Sequence, residues 1–268
     1  MQVRFWGVRG SVPWATPSTI GHGCNTSCLE VSDERTGNTL VFDAGSGIVG
    51  LGAALQGEPR ELPILLTHYH WDHIQGLPFL AQLYQPGWKP QIFAPRFEVH
   101  DPAWVETIFG PPFFPVPVEH LPNRPQIEVI GPGEMRIGGF DVSAIALNHP
   151  GGSLGYRVRG LTGDLVYATD HEFGDPARDE VLAEFARGAG AMVLDSHFTP
   201  DEIAAHKGWG HSDWRQCAEF AATHDIGGLW LFHHKPGRSD EELVRIRVDA
   251  RRVFAATETA AEGEALQL

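Results

Sequence analysis

Short apolar runs recur along this chain, and each ends in a turn or a polar cluster. Such runs, rich in β-branched and aromatic residues, read as strands. Val3–Trp6, Leu29–Val31, Thr39–Phe42, Ile64–Thr67 and Gln91–Ala94 predict strands in the first half. Phe140–Ala146, Leu154–Val158, Leu165–Thr169, Met192–Asp195 and Leu229–Phe232 predict strands in the second. Helical spacing lies between some of them. One helix opens at Asp175, an N-cap type, with Pro176 at its first position, and stops near Gly188. Another follows Ser212, read as its N-cap, and carries Trp214, Cys217, Ala218 and Ala221 towards Gly227. Shorter helices are predicted after Gly45 and after Asp72. Strands and helices mixed through both halves predict an α/β fold, either two sheets packed face to face with helices outside or an open doubly wound sheet.

The stretch 97–124 breaks this rhythm. It holds Pro102, Pro111, Pro112, Pro115, Pro117 and Pro122, with Pro125 closing the run, and the aromatics Trp104, Phe109, Phe113 and Phe114. Long irregular segments in compact domains are often functional. These aromatics are therefore expected to wall a substrate pocket, with a proline-stiffened surface flap as the equal alternative.

Composition adds limits. With 268 residues, 42% of them hydrophobic, the chain can bury a large core, and a single domain over 1–268 is expected. No apolar stretch approaches the roughly 18–20 residues needed to span a bilayer. Met1–Gly10 has no basic region followed by an apolar run, so no signal peptide is expected. The three cysteines, Cys24, Cys28 and Cys217, are odd in number and suit a reducing cytoplasm. The formal net charge of -14 disfavours a long nucleic acid as partner, since phosphate neutralisation supplies much of such binding. A small anionic ester stays open, because bound cations invert the local potential.

The chemistry concentrates in His68-Tyr69-His70-Trp71-Asp72-His73, at the end of the apolar run Ile64–Thr67. Alternate residues of an extended chain point the same way, so His68 and His70 can grip one cation. The chain then turns, and Asp72 and His73 can face a second. Imidazole and carboxylate suit zinc, and also iron or manganese. Two cations need more donors. His149, Asp170 and the pair His233-His234 each follow a predicted strand, where layered α/β folds assemble sites. An aspartate, with two oxygens, is the natural bridge.

In this order, His-x-His-x-Asp-His followed by His149, Asp170 and His233 resembles the metallo-β-lactamase superfamily over nearly the whole chain. The resemblance implies an αββα sandwich of two mixed sheets. It assigns His68, His70 and His149 to one metal, Asp72, His73 and His233 to the other, and Asp170 to the bridge; His234 is the alternative to His233. Asp43-Ala44-Gly45 resembles the family's strand-end Asp-x-Gly, where Asp43 would support the metal histidines from behind. Phe5-Trp6-Gly7-Val8-Arg9-Gly10-Ser11 and Cys24-Asn25-Thr26-Ser27-Cys28 resemble the start of a phosphodiesterase-like bacterial subgroup. His73-Ile74-Gln75-Gly76-Leu77-Pro78 and His149-Pro150-Gly151-Gly152-Ser153-Leu154-Gly155-Tyr156 are similar to ribonuclease Z and to phosphonate-pathway cyclic phosphodiesterases. Gly210-His211-Ser212 also resembles ribonuclease Z, where the matching His assists the departing oxygen. That family has a His-Glu pair where this chain has Asp195-Ser196, so a carboxylate partner for His211 is not expected. A basic arm for gripping transfer RNA is also missing from the sequence.

The reading is a two-metal hydrolase of small phosphodiesters, cyclic nucleotides among them, with phosphotriesters as side substrates. Zinc is the first choice of metal and manganese or iron the second. Asp72 would orient the attacking water as well as bind metal, and His211 would protonate the leaving oxygen. Carbon-ester, thioester or lactone hydrolysis on the same metals is the first alternative, ribonuclease Z-like RNA processing the second, and a metal-holding redox or binding module the third. Among the remaining candidates, His197 is expected to touch substrate. His171 and His206 read as ordinary histidines, and Lys207 and Arg9 as solvated charges rather than phosphate ligands. A homodimer is admitted as an assembly.

Overall fold

The computed structural model describes residues 1–55, 58–97 and 102–268, with the side chains of 102–105 outside the description. In chain order the elements are β1 (Gln2–Gly7), β2 (Cys28–Asp33), β3 (Asn38–Phe42), α1 (Gly47–Ala54), β4 (Glu61–Leu65), α2 (Trp71–Ile74) and β5 (Lys89–Pro95). Then come β6 (Gln126–Ile130), β7 (Gly133–Ile137), β8 (Phe140–Leu147), β9 (Ser153–Val158), β10 (Leu165–Ala168), α3 (Pro176–Ala186) and β11 (Ala191–Asp195). The chain closes with α4 (Trp214–Thr223), β12 (Leu229–Phe232), α5 (Asp240–Val253), β13 (Thr257–Thr259) and β14 (Ala265–Gln267).

These strands form two sheets, in the orders β14-β1-β2-β3-β4-β5-β6 and β13-β12-β11-β10-β9-β8-β7. Each mixes parallel and antiparallel neighbours: β3 runs parallel to β4 but antiparallel to β2, and β10 runs parallel to β11 but antiparallel to β9. The sheets face one another across a core that includes Val3, Phe5, Phe42, Tyr156, Tyr167, Val193 and Phe232. A second apolar cluster covers the outer face of the first sheet with α1, and a third covers the second sheet with α3, α4 and α5. This αββα layering settles the choice against an open doubly wound sheet. Each sheet is covered on both faces, which explains why its central strands read as continuous apolar runs.

Helix starts show how local sequence sets the frame. Asp175 caps α3 as predicted, accepting from the backbone N–H of Ala177 and Arg178. The cap of α4 is a correction: Asp213, not Ser212, accepts from Arg215 and Gln216 N–H and forms a capping box with Gln216. Helix α5 lies outside the elements read from the sequence. Its signal was present, because Ser239 and Glu242 also form a capping box and Leu243, Ile246 and Ala250 line its buried face.

Within the segment 97–124, Phe109 corrects a second expectation. Phe109 is fully buried among Ile108, Val118, Leu121 and Trp88 over the outer face of the first sheet, so it cannot wall a pocket. Phe113 is 68% exposed, and Phe114 packs edge-on against Phe79 at 5.4 Å. The side chain of Trp104 lies outside the described residues. Phe109→Ala should therefore cost about 3–5 kcal/mol of stability, the range for emptying a buried aromatic site. Phe113→Ala should stay within about 0.5 kcal/mol. Urea denaturation of both variants checks this, and similar midpoints for the two would overturn the assignment.

Candidate metal centre

The candidate site lies where strands of both sheets end. Three of its residues lie just past strand ends and take positive φ: Asp43 next after β3 (58°), Asp170 two residues beyond β10 (57°) and His233 next after β12 (60°). Non-glycine residues seldom adopt this left-handed conformation, which costs of order 1–2 kcal/mol. Here it turns each side chain back across the seam between the sheets. Tyr167, on the second sheet, donates its hydroxyl to Asp43 Oδ2 at the end of the first, at 2.8 Å, and so ties the two edges of the site together.

The predicted donors converge. His68, His70, His149 and Asp170 each bring one donor atom within 4.8 Å of the others, and Asp72, His73 and His233 form a second such group. Asp170 faces both groups. Its Oδ2 lies 3.6 Å from Nε2 of His68 and of His149, while its Oδ1 lies 3.3 Å from His73 Nε2 and 3.4 Å from His233 Nε2. One carboxylate oxygen per group is the arrangement a bridge requires. Asp72 Oδ2 sits 3.1 Å from His233 Nε2 and accepts from Ser11 N–H at 2.6 Å.

Hydrogen bonds behind the rings fix which nitrogen faces inward. His73 Nδ1 donates to Asp43 Oδ2 at 2.9 Å, and His149 Nδ1 donates to the Gly210 carbonyl at 2.9 Å. Thr67 donates its hydroxyl to Asp43 and accepts from His68 Nδ1 at 3.0 Å. Each of these rings thus turns Nε2 into the cluster, the orientation in which a deprotonated Nε2 binds a cation. Nε2 of His68 is buried with no hydrogen-bond partner, a costly state for a polar atom unless an ion takes it up. Burial, together with the neighbouring His73, pushes His68 well below the usual imidazole range, which keeps it neutral. Burial opposes charge on Asp170, but His233, His73 and His68 hold its carboxyl well below the usual range, so it stays ionised. This donor set fits divalent cations such as zinc.

His234 is excluded as the alternative donor, because its ring points away and donates Nε2 to the Ala260 carbonyl at 2.9 Å. Asp43 is buried beneath His73 and Thr67, hydrogen-bonded to both.

His211 has a partner after all. Its Nδ1 donates to Asp195 Oδ2 at 2.6 Å, so the carboxylate expected to be missing is supplied by Asp195. A short aspartate does the work because β11 ends at Asp195 beside the loop that carries His211. Burial disfavours a charged His211, yet the Asp195 charge and hydrogen bond outweigh it and raise the imidazole to about 9. The ring stacks at 5.0 Å on His233 and stands 5.5 Å from His149, so it borders both groups of donors. His197 stacks on His211 at 4.6 Å, and its Nδ1 donates to the His233 carbonyl at 3.0 Å. Burial, then the neighbouring His233 and His211, lower His197 to about 3 and leave it neutral.

Arg9, His171 and His206 make their contacts outside the two donor groups. Arg9, expected in solvent, is wholly buried and donates to the carbonyls of Gly23, Arg238 and Thr19. His171 lies beside Asp179 at 3.2 Å, His206 stacks on Phe198, and Lys207 is exposed. Glu172, which no local pattern in the sequence marks, holds the loop before His211 through three backbone contacts.

Comparison with known proteins agrees with this architecture. Ribonuclease Z of Bradyrhizobium sp. (strain ORS 278) is 26% identical, with 98% of each chain covered. The metallo-β-lactamase fold protein YhfI of Bacillus subtilis superposes with a TM-score of 0.74 at 18% identity, covering 99% of each chain. A diphosphatase of the PhnP family superposes with a TM-score of 0.72 at 17% identity, covering 100% of this chain and 97% of its own. The family model described as the β-lactamase superfamily domain matches residues 38–234, well over half the chain and every donor of the cluster, so the protein belongs to that superfamily.

Proposed function

We propose that the protein hydrolyses small phosphodiesters, with two divalent cations, zinc first among them, held by the two donor groups. His68, His70 and His149 would hold one ion, Asp72, His73 and His233 the other, and Asp170 both. When bound, such a pair supplies Lewis acidity and a water whose pKa falls to about 7. The chain's own residues do the rest. Asp72, whose carboxylate accepts from Ser11 N–H, would orient a water. Asp195 holds the proton on Nδ1 of His211, which leaves Nε2–H of the charged ring as the donor for an oxygen leaving phosphorus.

The Asp195–His211 pair at the border of both donor groups is the observation that carries this reading. A held proton matters when the leaving group is a poor one, as an alkoxide of a phosphodiester is. The ribonuclease Z relative supports phosphodiester chemistry and makes RNA cleavage the second reading. The net charge of -14 favours a small substrate over RNA. The test is turnover by zinc- and manganese-reconstituted protein of bis(p-nitrophenyl) phosphate, 2′,3′- and 3′,5′-cyclic nucleotides, a phosphotriester, a thioester and a short RNA. Phosphodiester turnover that chelator abolishes and metal restores is the expected result. Faster hydrolysis of the thioester than of every phosphodiester would reject the proposal.

A further inference from the structure

The loop that delivers His211 contains Gly208-Trp209-Gly210, with both glycines at φ 85°. A loop built on two such glycines has no conformational preference of its own to hold it in place. Glu172 supplies the hold. Its Oε1 accepts from Gly208 N–H at 2.8 Å, and its Oε2 accepts from Gly208 and Gly210 N–H at 3.0 and 2.7 Å. Ser212 closes the other side, donating its hydroxyl to the His171 carbonyl at 2.5 Å and accepting from Phe173 N–H at 3.3 Å. Residues 171–173 therefore grip the loop on both sides of Gly210-His211.

What the grip positions is functional at two points. The Gly210 carbonyl accepts from His149 Nδ1 and so aims Nε2 of His149 at Asp170. A Cβ on Gly210 would lie 2.1 Å from that ring nitrogen, so the loop rests directly on His149. The next residue is His211. The Glu172 backbone also pairs with Asn148, the neighbour of His149: its N–H donates to the Asn148 carbonyl at 2.9 Å, and its carbonyl accepts from Asn148 Nδ2 at 2.7 Å.

We propose that Glu172 is a positioning residue that sets a metal ligand, His149, and the proton donor, His211, from a single carboxylate. The part concerning His211 rests on the phosphodiesterase reading; the part concerning His149 does not. Removal of Glu172 loosens both at once, whereas removal of His211 leaves His149 in place.

The test compares Glu172→Gln, Glu172→Ala, His211→Ala and the double variant Glu172→Ala/His211→Ala, each as the full chain. In metal-free protein, amide exchange at Gly208 and Gly210 should quicken at least tenfold in Glu172→Ala, with the thermal transition still cooperative. Zinc affinity, read by competition with a chelator, should fall about 10–100-fold, the usual cost of losing a group behind a ligand. On a dialkyl phosphodiester kcat should fall at least tenfold beyond the loss on bis(p-nitrophenyl) phosphate, with KM unchanged. In the His211→Ala background that extra loss should vanish. Glu172→Gln, which keeps the shape and one acceptor oxygen, should lie between wild type and Glu172→Ala. Unchanged amide exchange and zinc affinity would overturn the proposal, and so would an extra loss that persists without His211. Absence of any phosphodiester turnover in the wild type would remove the phosphodiesterase reading and the His211 half alone, since exchange and zinc affinity still decide the His149 half.

Discussion

Replacing Asp170 with alanine should reduce turnover to the uncatalysed background while the protein still folds. The carboxylate places one oxygen 3.3–3.4 Å from His73 and His233 and the other 3.6 Å from His68 and His149. Without it, the four imidazoles lose the carboxylate that faces both pairs, Asp72 remains only beside His73 and His233, and two cations in that space would repel with less screening. Metal content should drop below two per chain. The fold should survive, because Asp170 follows β10 rather than packing within it, and alanine at φ 57° costs only about 1–2 kcal/mol. Metal analysis, a thermal melt and an assay on bis(p-nitrophenyl) phosphate decide the matter together. Full activity with both metals retained would show that Asp170 does not bridge them.

The second large effect belongs to His211. His211→Ala should slow an alkyl phosphodiester by about 10²–10⁴-fold, the usual contribution of general acid catalysis. It should slow a p-nitrophenyl ester far less, because that oxygen leaves without a proton. Asp195→Asn should follow the same pattern more weakly: the amide can still meet the ring, but it no longer secures the charged form with Nδ1–H. Metal content should stay constant in both variants, since neither residue belongs to the two proposed ligand sets. Equal losses on both esters would rule out the acid role and leave His211 as a substrate-positioning group. Loss of metal would mean that the second donor group extends to His211.

The elements legible in the sequence have a common physical character. All ten strands read from apolar runs are interior strands of the two sheets, whereas the four that were missed, β6, β7, β13 and β14, are the sheet edges. An interior strand needs apolar residues on both faces. An edge strand such as Gln126–Ile130, mostly exposed or half-buried, carries no such run. Phe109 shows the opposite error: its proline-rich, aromatic surroundings suggested a pocket wall or a surface flap, but an aromatic ring goes where apolar surface is available to cover it, and here that is the outer face of the first sheet.

The sequence by itself singled out the candidate residues for the chemistry. Three histidines and an aspartate within six residues, followed by His149, Asp170 and the pair His233-His234 at strand ends, already name the candidate donors. This works because cation binding demands particular atoms, and their clustering leaves a local trace. The tertiary structure alone decided which oxygen of Asp170 faces which group and that His234 turns away. It also decided that Asp195 partners His211 across 16 positions and that Glu172 reaches Gly208 and Gly210 across 36 and 38. A hydrogen bond between residues so far apart depends on where two strands end relative to one another. That relation is fixed by packing two sheets on a shared core, and no stretch of sequence around either partner contains it.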